Sequence, residues 1–480
     1  MATFITSLSL SAQEQLGFHT DNYSGINSVL LNPAGHANTP FNWDINLVEG
    51  AFFIENNYFD LTPFRLLDVN DVTIDDFQYG PEVKDPAELP PGAIIQDFVD
   101  DGRKRYANIA GHVMGPSFFV RINESSTIGL TTNFRVAGSG AGITDNLSYY
   151  TYFDQPLFEG FQVDKFSLGF MSWGEIGLNY MHQVEVNGGD LAVGATLKYL
   201  NGYEGAFLYS DRDFLLTKLP GDTLSGNSVS FNYGYTSSNL DMETVSLQKN
   251  GSGVGIDLGF VYTAKDYGDG YLWKIGVSLL DVGKVTFNQN AKEHLTTSDD
   301  LVVLATEGFQ NIENLEDFES KLGLFSDQVL GDSSLSYLDG EFSMWLPSAI
   351  SVQADYQFTQ NVFVNATFVQ GIPLGGVGVR RGSLLGITPR FEHRWFGAAL
   401  PLSIYNWQDA RLGLAARVAF FSVGTSNLGS VFGRNTFTGT DIYFAVKLNP
   451  FDLNLGGGSR GGNKNRKRGR STRGVKCYEF

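Results

Sequence analysis

Hydrophobic residues fall on every second position through much of this chain, and the residues between them are small, polar or singly charged. In 127–136, Ile128, Leu130, Phe134 and Val136 oppose Thr127, Thr131, Asn133 and Arg135. In 173–184, Ile176, Leu178, Tyr180 and Val184 oppose Glu175, Asn179 and Gln183. A period of two marks a strand whose faces meet different environments. Such segments predict fourteen strands, at 42–55, 106–122, 127–136, 166–184, 190–200, 252–262, 271–280, 347–356, 362–370, 382–391, 395–404, 411–421, a weaker one at 427–432, and 438–448. Most reach the roughly 9 to 11 residues a tilted membrane-crossing strand needs.

The polar face carries Gly, Ser, Asn and isolated charges of both signs, as a crowded polar lumen would. The apolar face carries Trp43, Tyr180, Tyr199, Tyr262, Trp273 and Tyr356 near strand ends, where an interfacial girdle belongs. Through the first eight strands short connections (123–126, 185–189, 265–270) alternate with long ones (57–105, 138–165, 201–251, 281–345). Sorting loop length by side is a habit of outer-membrane barrels and not of soluble sandwiches. The expected fold is therefore all-β: a transmembrane antiparallel β-barrel of about fourteen strands with long loops on one side. Within the loops, 229–235 alternates and reads as a hairpin arm. Segment 301–330 spaces Phe309, Ile312, Leu315, Phe318 and Leu322 helically, which predicts amphipathic helices over the barrel mouth, as a lid or a partner-docking surface.

Composition agrees. The chain spends 56 residues on Gly and 14% on aromatics but only 15 on Pro, and has no apolar run of helical-span length. Its net charge of −19 comes mainly from acidic loops at 66–86, 298–319 and 327–341, which argues against nucleic acid as a partner. The single Cys477 excludes an intrachain disulfide and a Cys-rich metal site. No HExxH, GxSxG or phosphate-cradle motif occurs, and His36, His112, His182 and His393 form no site on paper. The expectation is a protein that is not an enzyme and needs no cofactor or metal. The inward charges are the nearest candidates for function: Arg121, Arg135, Glu175, Lys198, Asp257, Lys274, Asp355, Arg411 and Arg417, with Arg390, Asp441 and Lys447 beside them. Mixed signs point first to salt bridges filling a narrow lumen and second to a polar solute path.

The two ends differ from the middle. Residues 1–12 read as the tail of a signal peptide without its basic start, and 13–41 as a segment plugging the barrel of 42–454, whose acidic, helical loop is 282–345. Residues 455–480 are Gly-rich and basic, with Lys464, Arg466, Lys467, Arg468 and Arg470 as candidate contacts to anionic lipid or an acidic protein on the periplasmic side. Asn32-Pro33-Ala34 before the first strand, the glycine-rich alternating strands and the stretch LPSAISVQADYQF (346–358) resemble the FadL-like outer-membrane transporters and their Bacteroidetes relatives, which include the shuttle barrel of type 9 secretion. That resemblance implies a location in the cell outer membrane, among its lipids. It also implies that Asn32, Pro33 and Ala34 belong to a lumenal plug, and that a lateral kink falls within Gly111 to Pro116, including Gly115. Two functions remain open: a subunit or scaffold of a larger outer-membrane complex for secretion, assembly or gliding, docking other outer-membrane or periplasmic proteins through its loops and tail; or a transporter of a small hydrophobic or amphipathic molecule.

Overall fold

A computed structural model describes residues 14–450, apart from 71, 74–75, 84–88, 222, 239–246, 266–269, 310–314, 409 and 434–435. The signal-peptide reading of 1–12, Ile312 and the whole basic tail lie outside the described residues.

Fourteen staves close into one antiparallel barrel, as the alternation predicts. They are β1 (Trp43–Asn56), β2 (Arg105–Met114 continued by Ser117–Arg121), β3 (Ser126–Ile143), β4 (Ser167–Val186), β5 (Gly189–Tyr209), β6 (Gly251–Lys265) and β7 (Tyr271–Phe287). The second half comprises β8 (Ala349–Gln357), β9 (Val362–Gly371), β10 (Leu384–Glu392), β11 (Phe396–Ala399 with Leu402–Tyr405), β12 (Ala410–Leu412 with Leu414–Val418), β13 (Phe421–Thr425) and β14 (Gly439–Leu448). The barrel shuts where β1 pairs with β14, from Ile45 opposite Leu448 to Glu55 opposite Gly439. Closure leaves no open edge, which a wall surrounded by lipid requires. Burial alternates strictly along β8 and β10, and Leu178, Leu197, Val254 and Ile387 stand exposed on the outer belt. A charge on that face costs roughly 2–4 kcal/mol at the bilayer midplane, so the charges gather inside.

The thirteenth stave is not where the pattern put it. Residues 427–432 do not form a strand; Leu428–Phe432 is a short helix (α3), started by Asn427, whose side chain accepts from the Ser430 N–H. Val418 ends the twelfth stave and Ala419 turns the chain at φ 51°, so the thirteenth begins at Phe421.

On the long-loop side β4 and β5 run for 20 and 21 residues and stand above the apolar belt. The alternating segment Val229–Thr236 adds to the top of β5, and Ala291–Ser298 adds to it in turn. Segment 282–345 is thus partly strand, since β7 itself reaches Phe287. Four further strands (Gly160–Val163, Phe214–Leu219, Thr223–Asn227, Val302–Ala305) from three different loops form a small sheet. Its inner face, with Phe161, Val163, Phe214 and Val302, packs near Phe325 and Val329 of the helix Leu315–Leu330 (α2, numbered after α1, Tyr149–Asp154).

That helix does not cover the mouth. Tyr233 and Tyr235 pair with Leu208 and Ala206, which pair with Leu168 and Phe170, the outward parity of β4. Phe318 and Phe325 meet Tyr235 and Phe231 edge-on, so α2 lies on the outer wall of the raised strands. Helical spacing revealed an apolar face but not which side of a wall it would choose. The β9–β10 connection instead folds inward: Val379 is buried with Trp173, Phe207 and Met344, and Gly378 bridges to Trp345.

Candidate functional site

Residues 14–41 occupy the lumen. One part is held by five consecutive staves around Asn32-Pro33-Ala34. Asn32 Nδ2 donates to the Phe260 carbonyl (3.2 Å) and to Gln353 Oε1 (3.0 Å), Asn179 Nδ2 donates to the Pro33 carbonyl (3.1 Å), and Ser278 Oγ donates to the Leu31 carbonyl (2.7 Å). A Cβ on Gly194 would come within 2.5 Å of the Pro33 carbonyl, and one on Gly259 within 2.2 Å of Asn32 Oδ1. These inner-face glycines make the space the segment fills. Neighbouring His36 packs against Phe119 with the rings tilted by 32° and their centroids 5.1 Å apart, and neither of its ring nitrogens has a partner among the described residues. Burial, reinforced by the Arg121 charge, pushes its imidazole down to about 3, so it is a neutral packing group.

The other part is latched by charge. Glu49 on β1 accepts from Gln15 (2.5 Å) and contacts His19 Nε2 and His112 Nε2 (3.0 Å each), and Asn27 donates to its second oxygen. Arg417 Nε reaches Asp21 (3.1 Å), Lys274 donates to Asn22 (2.8 Å), and Lys447 bonds Asp44 (2.9 Å) where Gly25 turns at φ 56°. A Cβ there would sit 2.0 Å from the Asp44 carboxylate.

Most of the remaining lumen charges also pair, whereas Arg121 has no ion pair among the described residues and Asp441 accepts from the Ser426 N–H and the Thr425 hydroxyl. Asp281 receives Arg135 (2.7 Å), Lys198 (2.7 Å) and Arg381 (3.2 Å); Lys198 also meets Asp257 (2.7 Å), Arg135 meets Glu175 (3.5 Å), and Arg381 meets Glu14 (2.6 Å). Asp355 holds Arg390 (2.7 Å), and Arg411 holds Glu55. Buried charges survive in low dielectric only when matched this way. The lumenal cavities are small, at 70 Å³ beside Asp281 and 50 Å³ beside Lys274.

At the candidate kink, β2 breaks between Met114 and Ser117 around Gly115 and Pro116, whereas Gly111 stays paired with Phe52 and Val136. Asn46 Nδ2 donates to the Met114 and Gly115 carbonyls (3.2 Å each), and Ser117 Oγ bonds Gly115 and Thr132 (3.0 Å each). The polar groups freed by Pro116 are therefore capped within the wall.

A much larger space lies outside the lumen. Between α2 and the raised strands is a groove of 620 Å³ walled by Phe170, Phe231, Tyr233, Tyr235, Phe318 and Phe325, with Lys321 on its lining. Tyr233 stacks on His294 at 5.0 Å, whose proton affinity is lowered by burial and by Lys292. Burial and then Glu319 raise the Tyr235 phenol. Both rings are therefore uncharged near neutrality. Glu49, Gln15, His19, Asp281, Glu14 and Arg381 escaped sequence reasoning because their partners are remote in the chain. The glycines at alternate inner positions were the available sign of a filled lumen.

Residues 33–426 match the family of unknown function DUF5723. The chain belongs to that family. No curated protein matches it. Among solved structures, it is similar to the toluene transporter TbuX of Ralstonia pickettii (13% identity, TM-score 0.39, covering 92% of this chain and 96% of that one). It is also similar to the toluene transporter TodX of P. putida (11%, 0.39, 89% and 94%) and to a FadL homologue of Pseudomonas aeruginosa (8%, 0.26, 92% and 98%).

Proposed function

We propose that the protein is an outer-membrane barrel that takes up a small apolar or amphipathic molecule, its short turns in the periplasm and its raised strands outside. The groove beneath α2 carries the reading. Its 620 Å³ fall in the range of small-ligand sites, and its walls are almost wholly aromatic and aliphatic. An apolar recess of this extent on a protein surface marks an interaction site. The lumenal cavities of 70 and 50 Å³ are too small for an organic solute, so passage through the barrel requires the N-terminal segment to shift.

Titration of the purified barrel with 1-N-phenylnaphthylamine, a neutral probe that brightens in apolar surroundings, tests this. The expected result is saturable binding that Leu322→Asp abolishes. Absence of saturable binding, or binding unchanged in Leu322→Asp, overturns it. A second reading, a subunit of a larger outer-membrane complex, draws on the filled lumen and on Leu215 and Val303, which stand exposed on one face of the small sheet. Pull-down from solubilised membranes, with and without residues 456–480, tests that reading: stoichiometric companions support it and a monomer in both sinks it.

A further inference from the structure

The long-loop mouth of the lumen holds a third space, of 410 Å³, unlike the other two. It is lined by Lys104, Arg105, Arg380 and Arg381, with Asn406 and Gln408, and among the described residues no carboxylate lines it. This is an unexpected sign for the entrance of a protein whose net charge is −19. Three of the four cations have counter-charges set behind the lining: Lys104 with Asp164 (2.9 Å), Arg105 with Asp101 (2.7 Å) and Asp145, and Arg381 with Glu14 and Asp281. Arg380 differs. Its backbone N–H is fixed to Ser139 Oγ (2.8 Å), but its exposed guanidinium has no partner among the described residues. Arg105 is 1% exposed, and its Nε also lacks an acceptor among the described residues.

The chain geometry explains the placement. The β9–β10 connection dips into the mouth and presents two consecutive arginines in opposite ways. Arg381 is drawn down to Glu14 and Asp281, and Arg380 is left at the open space above. Low-dielectric walls focus the field of such a group. A guanidinium fork matches the two oxygens of a carboxylate or phosphate. Below, the cavity lined by Glu14 and Asp281 together with Arg135, Lys198, Arg380 and Arg381 measures only 70 Å³, room for a few waters, so a solute oxyanion is held at the upper level by size.

We propose that this mouth is a binding site for a small oxyanion, a carboxylate or a phosphate, with Arg380 as its principal contact and Lys104 and Arg105 supplying the surrounding field. The site is independent of the aromatic groove. The test is equilibrium dialysis of the full-length barrel in nanodiscs of zwitterionic lipid against radiolabelled inorganic phosphate and, separately, radiolabelled benzoate. Expected is saturable, salt-sensitive binding of at least one probe at one per barrel. Arg380→Gln should weaken it by about tenfold, Arg380→Lys should recover part of the loss, and Lys265→Gln at the short-turn end of the barrel should leave it unchanged. Lys104→Gln, at a second exposed position, should weaken it by a smaller factor. Heat-modifiable gel mobility verifies that each variant is closed. Failure of both probes to bind saturably in the millimolar range, or equal binding by Arg380→Gln and wild type, overturns the proposal. Phosphate without benzoate, or the reverse, assigns the oxyanion.

Discussion

The barrel lumen and the groove under α2 are both places where an added segment packs on the wall strands, and they are filled by opposite means. In the lumen the wall recedes to glycine at Gly194 and Gly259, and the N-terminal segment enters until, beneath the mouth, only small cavities remain. Its position is fixed by hydrogen bonds and ion pairs, which have direction and admit one arrangement. Outside, rings meet rings edge-on across a space of 620 Å³. Aromatic contacts tolerate such a gap because much of their gain comes from area and little from alignment. A filled space with directional contacts holds one state; an apolar space left open accepts a guest.

The sharpest test of the contrast removes one carboxylate from each region. Asp281→Ala takes one of two counter-charges from each of Lys198, Arg135 and Arg381 and should cost about 3 kcal/mol in unfolding measured in detergent. Glu319→Ala breaks the half-exposed pair with Lys292 and should cost no more than about 1 kcal/mol. Equal costs would erase the distinction. Next, Gly194→Val drives a branched side chain into the Pro33 backbone and should destabilise by about 1–3 kcal/mol, with the N-terminal segment becoming open to protease.

A pH series separates the regions more finely. The folded pKa of His36 lies at about 3, below its unfolded value, so the unfolded chain binds the extra proton first as pH falls. Stability should therefore decline from pH 6.5 toward 3 by about 1.4 kcal/mol per unit from this residue, and His36→Phe should remove that component of the slope. The smallest effect is expected from Leu322→Ala. It should change stability by less than about 1 kcal/mol because the side chain borders a space already open, while weakening naphthylamine binding severalfold.

The staves were legible in sequence because a two-residue period survives whatever the strand touches, as Ile176, Leu178 and Tyr180 show on β4. Where a stave is only five residues long, as at Phe421–Thr425, the period has too few repeats to outweigh neighbouring 427–432, which a single Asn cap turns into helix. The charges on regular strands, such as Lys198 and Asp355, could be assigned to the inner face by parity. Asp281 could not: it sits at φ 55°, where β7 pairs irregularly with β6 near Asp257. His19, Glu49 and His112 meet only because three distant segments converge, and no local pattern records that.

The Lys447–Asp44 pair, with Gly25 beside it, lies across the seam of first and last staves. The N-terminal segment is made first, yet half of this docking point arrives only with the fourteenth stave. At this one point, docking of the segment and closure of the circle depend on each other across some four hundred residues of chain, a remote pairing of the kind that forms slowly. A chain halted before Lys447 would keep the other holds on residues 14–41 but lose the one at Gly25, and the seam would lack that clasp.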